Sequence, residues 1–102
     1  MPIMEISLVP LGTASASVGE YVAEALKSLK KRKGINYRLT SMGTIVEAPS
    51  LKQLLDIAGI MHKAVLAKGA KRVVTSIKID DRKDKRLTSS GKIKSVERKL
   101  KS

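Results

Sequence analysis

Ile35-Asn-Tyr-Arg-Leu39, then Thr40-Ser-Met-Gly43, then Thr44-Ile-Val-Glu-Ala48 is the stretch that decides the fold. The first five residues alternate apolar and polar, which is the period of a strand. The middle four carry turn chemistry, and the last five are β-branched and apolar. The three parts read as a β-hairpin. What lies on either side of this hairpin sets the architecture.

Upstream, Val18, Tyr21, Val22, Ala25, Leu26 and Leu29 recur at helical spacing within a segment running from about Ser17 to Lys33. Ser17 with Glu20 forms a capping-box pattern. Lys30-Lys-Arg-Lys33 places cations in the last turn, where they complement the negative end of the helix dipole. Gly34 is the residue type that ends a helix in a left-handed conformation. Before this helix, Ile3 to Val9 reads as a strand with Met4, Ile6 and Leu8 on one face and a mixed set on the other. Pro10 is expected to end that strand, and Gly12 punctuates the loop after it.

Downstream, Pro49 and Ser50 open a second helix, with Gln53 completing a capping box. Its apolar stripe is Leu51, Leu54, Leu55, Ala58, Met61 and Val65, and Lys68-Gly69 closes it. Arg72 to Asp80 reads as a strand. Asp81 to Ser102 is highly charged, with Ile93, Val96 and Leu100 spaced for a short amphipathic helix. An echo links the halves. Lys33-Gly34 and Lys68-Gly69, Thr40-Ser41 and Thr75-Ser76, and Ser15 and Ser50 are all 35 residues apart.

The prediction is an α+β, ferredoxin-like βαββαβ fold. It has a four-stranded antiparallel sheet, two helices on one face and a short C-terminal helix. Residues 1–102 form one domain, with 81–102 as a C-terminal extension. The uncovered sheet face carries apolar residues, so a homo-oligomer, dimer or tetramer, with sheets packed face to face is expected.

Composition narrows the function. Apolar residues make up 42% of the 102 residues and aromatics only 2%, so the core is aliphatic. Without Cys there is no disulfide, thiolate metal site or cysteine nucleophile. No basic leader precedes a long apolar run, and no apolar run is long enough to span a membrane. A cytoplasmic protein is expected. Lys and Arg number 21 against 9 Asp and Glu, a net charge of +12 that attracts polyanions or simply solvates the surface.

Catalytic signals are weak. His62 is the sole histidine and lies beside an apolar stripe, where a packing role is the ordinary one. Metal binding needs converging ligands that the chain lacks. Asp80, Asp81 and Asp84 are surrounded by Lys78, Arg82, Lys83, Lys85 and Arg86, so local charge pairing explains them. There is no phosphate-cradling loop and no nucleophile elbow. An acylphosphatase-like hydrolase of this fold would need an Arg loop and a positioned Asn, but the only Asn is Asn36, on the hairpin. RNA-recognition domains share the element order but stack bases on strand aromatics, and Tyr37 is the only one here. Nucleic acid is therefore not expected as a specific partner, and non-specific polyanion binding by a basic oligomer is the alternative.

Small-molecule binding suits the residues better. Ser7-Leu-Val-Pro-Leu-Gly-Thr13 brings a strand end and a Pro/Gly break into a loop rich in hydroxyls: Thr13, Ser15 and Ser17. Thr40, Thr44 and Glu47 sit on or beside the hairpin. Glu5 or Glu47 could supply a carboxylate, and Met42 or Tyr37 a wall, for a nitrogen heterocycle.

These residues also carry a resemblance. Glu5-Ile-Ser-Leu-Val-Pro-Leu-Gly-Thr13 with Ser17 and Tyr21-Val22, then Tyr37 to Thr44 with Glu47, resemble the small thiamine-binding, YkoF-like family. So do Met61-His62, Gly69 to Thr75, Ile77 to Asp80 with Arg82, and Lys92 to Leu100. The resemblance implies a ferredoxin-like subunit that assembles as dimers and dimers of dimers. It implies binding of thiamine or its hydroxymethylpyrimidine moiety without catalysis and without a cofactor. By position, Thr13, Ser17, Tyr37, Met42, Thr44 and Glu47 match the family's signature and are the expected ligand-binding residues. Ala48 stands where the family usually has glycine, and its methyl group is expected to narrow the site.

Overall fold

A computed structural model describes residues 1–12 and 18–101. The strands are β1 (Ile3–Leu11), β2 (Asn36–Leu39), β3 (Thr44–Glu47) and β4 (Arg72–Asp80). The helices are α1 (Gly19–Lys27), α2 (Leu51–Ala67) and α3 (Ser89–Leu100). The strands form one antiparallel sheet in the order β2-β3-β1-β4. With α1 and α2 this is the ferredoxin-like arrangement that the hairpin and its flanks predict.

Register explains how one face becomes the core. Met4 stands opposite Val46 on one side and Ile79 on the other, and Ile6 stands opposite Thr44 and Ile77. Cross-strand partners point to the same face. Met4, Ile6, Leu8 and Val46 therefore turn together toward the helices. There they join Ala25 and Leu29 near α1, and Leu54, Ile57, Met61 and Val65 from α2, in one buried cluster. Each such aliphatic side chain contributes about 1.5–3 kcal/mol on burial. Thr75 on the same face takes His62 Nδ1 at 2.7 Å, which ties α2 to β4 and gives the lone histidine a packing role. Gly34 and Gly69, the pair at the 35-residue spacing, both adopt positive φ (80° and 124°).

Four expectations are corrected. Pro10 does not end β1, which continues to Leu11 with Pro10 opposite Val73. β3 pairs with Ile3–Ile6, so among the described residues the strand has a neighbour on one side alone at Pro10, where proline is tolerated. The first helix stops at Lys27 instead of Lys33. Ser28 Oγ bonds back to the Ala25 carbonyl, and Leu29, Lys30 and Arg32 donate to carbonyls three residues earlier, winding the chain into turns. The like charges of Lys30 to Lys33 give a helix no support there. Ser17, expected to cap α1, lies outside the described residues. On α2 the buried stripe contains Ile57, while Leu55 is 52% exposed and Leu51 is exposed as well. Finally, Ala48 is fully buried within the core cluster, so its methyl packs there.

The second cap forms as expected. Ser50 accepts from Gln53 N at 3.2 Å, and its hydroxyl meets Gln53 Oε1 at 3.0 Å. α3 also forms, with Thr88 accepting from Gly91 N at 3.0 Å. It starts over the uncovered sheet face: Ser89 N donates to Glu47 Oε2 at 3.3 Å, and Lys92 pairs with Asp80. No residue of α3 is buried. The radius of gyration is 15.0 Å, against about 13 Å for a compact chain of this length.

Candidate functional site

The hairpin carries four of the predicted site residues, and the sheet register sends them to two places. Thr44 opens β3 and Glu47 closes it. Three residues of strand separate them by about 10 Å. Met42 and Thr44 line a cleft of about 170 Å³, and Tyr37 and Glu47 line another of about 220 Å³. Thr13 and Ser17 lie outside the described residues, as does Ser15.

The first cleft opens where β3 stops pairing with β1. The last β1–β3 pair is Ile6 with Thr44, and among the described residues no strand continues on that side of Ser7, Leu8 and Val9. A strand edge of this kind offers backbone donors and acceptors to a ligand. The hairpin loop closes the other side. Thr40 organises the loop: its N–H and its hydroxyl both donate to the Gly43 carbonyl at 2.8 Å, and its Oγ1 accepts from Gly43 N at 3.1 Å. Gly43 packs closely here: a Cβ would stand 3.0 Å from the Ile6 carbonyl oxygen, so the backbone would have to give slightly. Met42 stands at the tip, 81% exposed. Among the described residues Thr44 is the buried polar side chain beside an otherwise apolar core, 2% exposed. Leu8, Val18, Val22 and Leu39 supply apolar walls. Apolar walls with a few placed hydroxyls and an open backbone edge are the ordinary makings of a small-molecule site.

The second cleft lies at the opposite end of the hairpin, on the face that α3 approaches. Asn36, Arg38 and Ser89 join Tyr37 and Glu47 around it. It offers an amide, a cation and a carboxylate, with the Glu47 carboxylate already accepting from Ser89 N, while Tyr37, opposite Val46, turns its side chain toward the other face. Glu5, the other candidate carboxylate, is exposed on the uncovered face beside Lys78 and Asp80 in a third depression.

The strand end from Ser7 is expected to shape a binding site, whereas the open backbone edge of Ser7 to Val9 is a feature of the sheet. The halt in β3 pairing that exposes this edge leaves no mark in composition. Ser89 is brought in from 42 residues away by the docking of α3, which no local pattern encodes. Among the described residues no group of His, Asp and Glu is placed to hold a metal ion. No helix of the described chain is long and apolar enough to cross a membrane. The Asp84 carboxyl is drawn below its ordinary pKa by the hydrogen bonds from Arg82, whose guanidinium is raised in turn.

Comparison with known proteins extends this reading. A UPF0045 protein of Methanothermobacter thermautotrophicus is 42% identical over 96 residues, covering 94% of this chain and 96% of that one. The UPF0045 protein YqgV of Bacillus subtilis is 40% identical over 103 residues, covering 98% of each chain. The crystal structure of the hypothetical protein MJ1052 of Methanocaldococcus jannaschii superposes with a TM-score of 0.83 at 38% identity, covering 94% of this chain and 95% of the other. A Thermotoga maritima structure, described as that of a candidate thiamine biosynthesis/salvage protein, shares the fold with a TM-score of 0.74 at 21% identity, covering 93% and 97%. The family profile described as thiamine-binding protein matches residues 4–97. With nearly its whole length matched, the chain belongs to the thiamine-binding protein family, together with these UPF0045 proteins.

Proposed function

We propose that this protein binds thiamine or its hydroxymethylpyrimidine moiety without transforming it. The observation that carries the reading is the family match over residues 4–97. The cleft between the β1 edge and the hairpin loop supports it. An aminopyrimidine presents a donor beside an acceptor, and the Thr44 hydroxyl with the backbone edge of Ser7 to Val9 offers the complement. Met42, polarizable and exposed, is suited to cover an aromatic ring. Thr13 and Ser17 belong to this proposal through the family signature. Tyr37 and Glu47 form the second candidate position, where a carboxylate facing a cationic ring would be the principal contact.

Titration calorimetry with thiamine, its phosphates and hydroxymethylpyrimidine tests the proposal. Binding is expected, with Thr44→Val weakening it about tenfold, the equivalent of one buried hydrogen bond. If Glu47→Gln weakens it instead, the ligand occupies the second cleft. No heat and no thermal shift with any of these compounds at millimolar concentration would sink the assignment.

The functional unit in this proposal is a homo-oligomer in the cytoplasm. Val9 and Val74 are direct partners on the uncovered face and both are exposed, as is Leu11. On α3, Ile93 and Leu100 are exposed too. A second copy offering the same surface would cover both sets.

A further inference from the structure

The basic excess of the chain is not spread evenly. The largest cleft among those described, about 470 Å³, runs between α3 and the segment that leads into it from β4. Arg82, Lys85, Arg86, Lys92 and Arg98 line it, with Asp80 as the acid among its lining residues. Two of these cations are already committed. Arg82 makes a two-point contact with Asp84, Nε to Oδ1 at 2.8 Å and Nη2 to Oδ2 at 2.5 Å, and Lys92 is paired with Asp80. Arg86 and Arg98 make none of the close ion pairs among the described residues, and Lys85 acts on Asp84 only through its field. Gly91 lines the groove, and a Cβ there would come to 2.7 Å from the Thr88 hydroxyl that caps α3. The Thr88 and Ser95 hydroxyls line the same groove.

We infer that this groove is a binding site for a diphosphate or phosphomonoester group, separate from both hairpin clefts. Converging guanidinium and ammonium groups beside hydroxyls, with the nearest carboxylates occupied, are the donor set that phosphoryl oxygens require. The concave shape favours a small anion. An extended nucleic acid would ask for a long basic surface and aromatic platforms, and the groove holds no aromatic residue. The inference does not rest on the thiamine reading, since the groove shares no residue with the hairpin clefts.

The full-length protein is titrated with inorganic phosphate, inorganic pyrophosphate and ADP at low ionic strength. Pyrophosphate is expected to bind more tightly than phosphate, because two phosphoryl groups engage more of the cations. Arg86→Ala and Arg98→Ala should each weaken it about tenfold, as expected for losing a charge-assisted contact. Both side chains are exposed and unpaired, and circular dichroism confirms the fold of each variant. Lys31→Ala, at a separate basic cleft by Gln53 and Asp56, serves as the control and should change nothing. ADP binding as tightly as pyrophosphate identifies an organic diphosphate as the ligand class, and pyrophosphate alone identifies the free anion. The inference is overturned by absence of heat at 1 mM pyrophosphate (about the weakest Kd worth calling a site), or by equal weakening in Lys31→Ala. It is also overturned if a DNA duplex competes with pyrophosphate and every variant loses DNA binding alike, which would leave only general charge attraction.

Discussion

The two faces of this sheet are written on the same strands and do different work. Along β1, Met4, Ile6 and Leu8 are buried under the helices, while Glu5, Ser7 and Val9 between them face the other way. The covered face has a continuous aliphatic core. The open face holds Glu47 of the second hairpin cleft, the start of α3 and the basic groove beside it, while Thr44 of the first cleft sits at the margin of the covered face. Stability and recognition are thus separated by one residue of strand register. A single-residue slip would exchange them, which is why the pattern fixes register so firmly.

The largest contrast is in stability. Met61→Ala, at a fully buried position in the core, should cost about 2–5 kcal/mol. Val74→Ala on the open face should stay within about 0.5 kcal/mol when the protein is dilute enough to be monomeric. Urea denaturation of both variants measures the difference. Equal losses would mean that the open face is part of the folded core, and the division between the two faces would collapse.

How much of this division can be read in the sequence depends on whether the cause is local. Period-two alternation in β1 and turn chemistry at Thr40 to Gly43 are local, and both appear where expected. So does the Ser50–Gln53 cap. β1 runs past Pro10, against the local signal, because proline is excluded only where a strand has both neighbours, and the early end of β3 removes one of them. The α2 stripe was placed off-centre because Leu51, Leu54, Leu55 and Ile57, Ala58 offer two overlapping faces at the same period. Packing against β1 and β4 chooses the one containing Ile57. For the site, the sequence indicated Thr44 and Glu47 as one constellation. Their opposite positions on β3 divide it, because nearness in sequence along a strand is distance in space.

The next contrast concerns association. Val9→Glu puts a carboxylate at the middle of the open face, opposite Val74. If two sheets meet there, an unpaired buried charge costs about 3–5 kcal/mol, enough to shift the association constant by two orders of magnitude or more. Light scattering should then show the monomer mass at concentrations where the parent chain is a dimer or tetramer. The core should be unaffected, so the denaturation midpoint of the monomer is expected to hold. A parent chain that is monomeric at high concentration would remove the second copy from the proposal and leave the open face to another partner.

The smallest effect belongs to the charge pair at the rim of the basic groove, and it sharpens the contrast from the other side. Asp84 and Arg82 are both solvent-exposed, so their contacts contribute little to stability. The direction is nevertheless fixed. The folded pKa of Asp84 lies below its ordinary value because Arg82 donates hydrogen bonds to the carboxylate. The contribution is therefore fully present above the unfolded-state value, about 3.9, and is lost as pH falls through the lowered folded value. Asp84→Asn should be marginally less stable than the parent at neutral pH, and the two urea curves should converge under strongly acidic conditions. The same substitution releases the Arg82 guanidinium into the groove at every pH. Pyrophosphate binding at pH 7 should therefore tighten slightly in Asp84→Asn while stability barely moves. An opposite result, with large loss of stability and no change in binding, would make this pair part of the fold's framework and assign the rim to the covered side of the comparison.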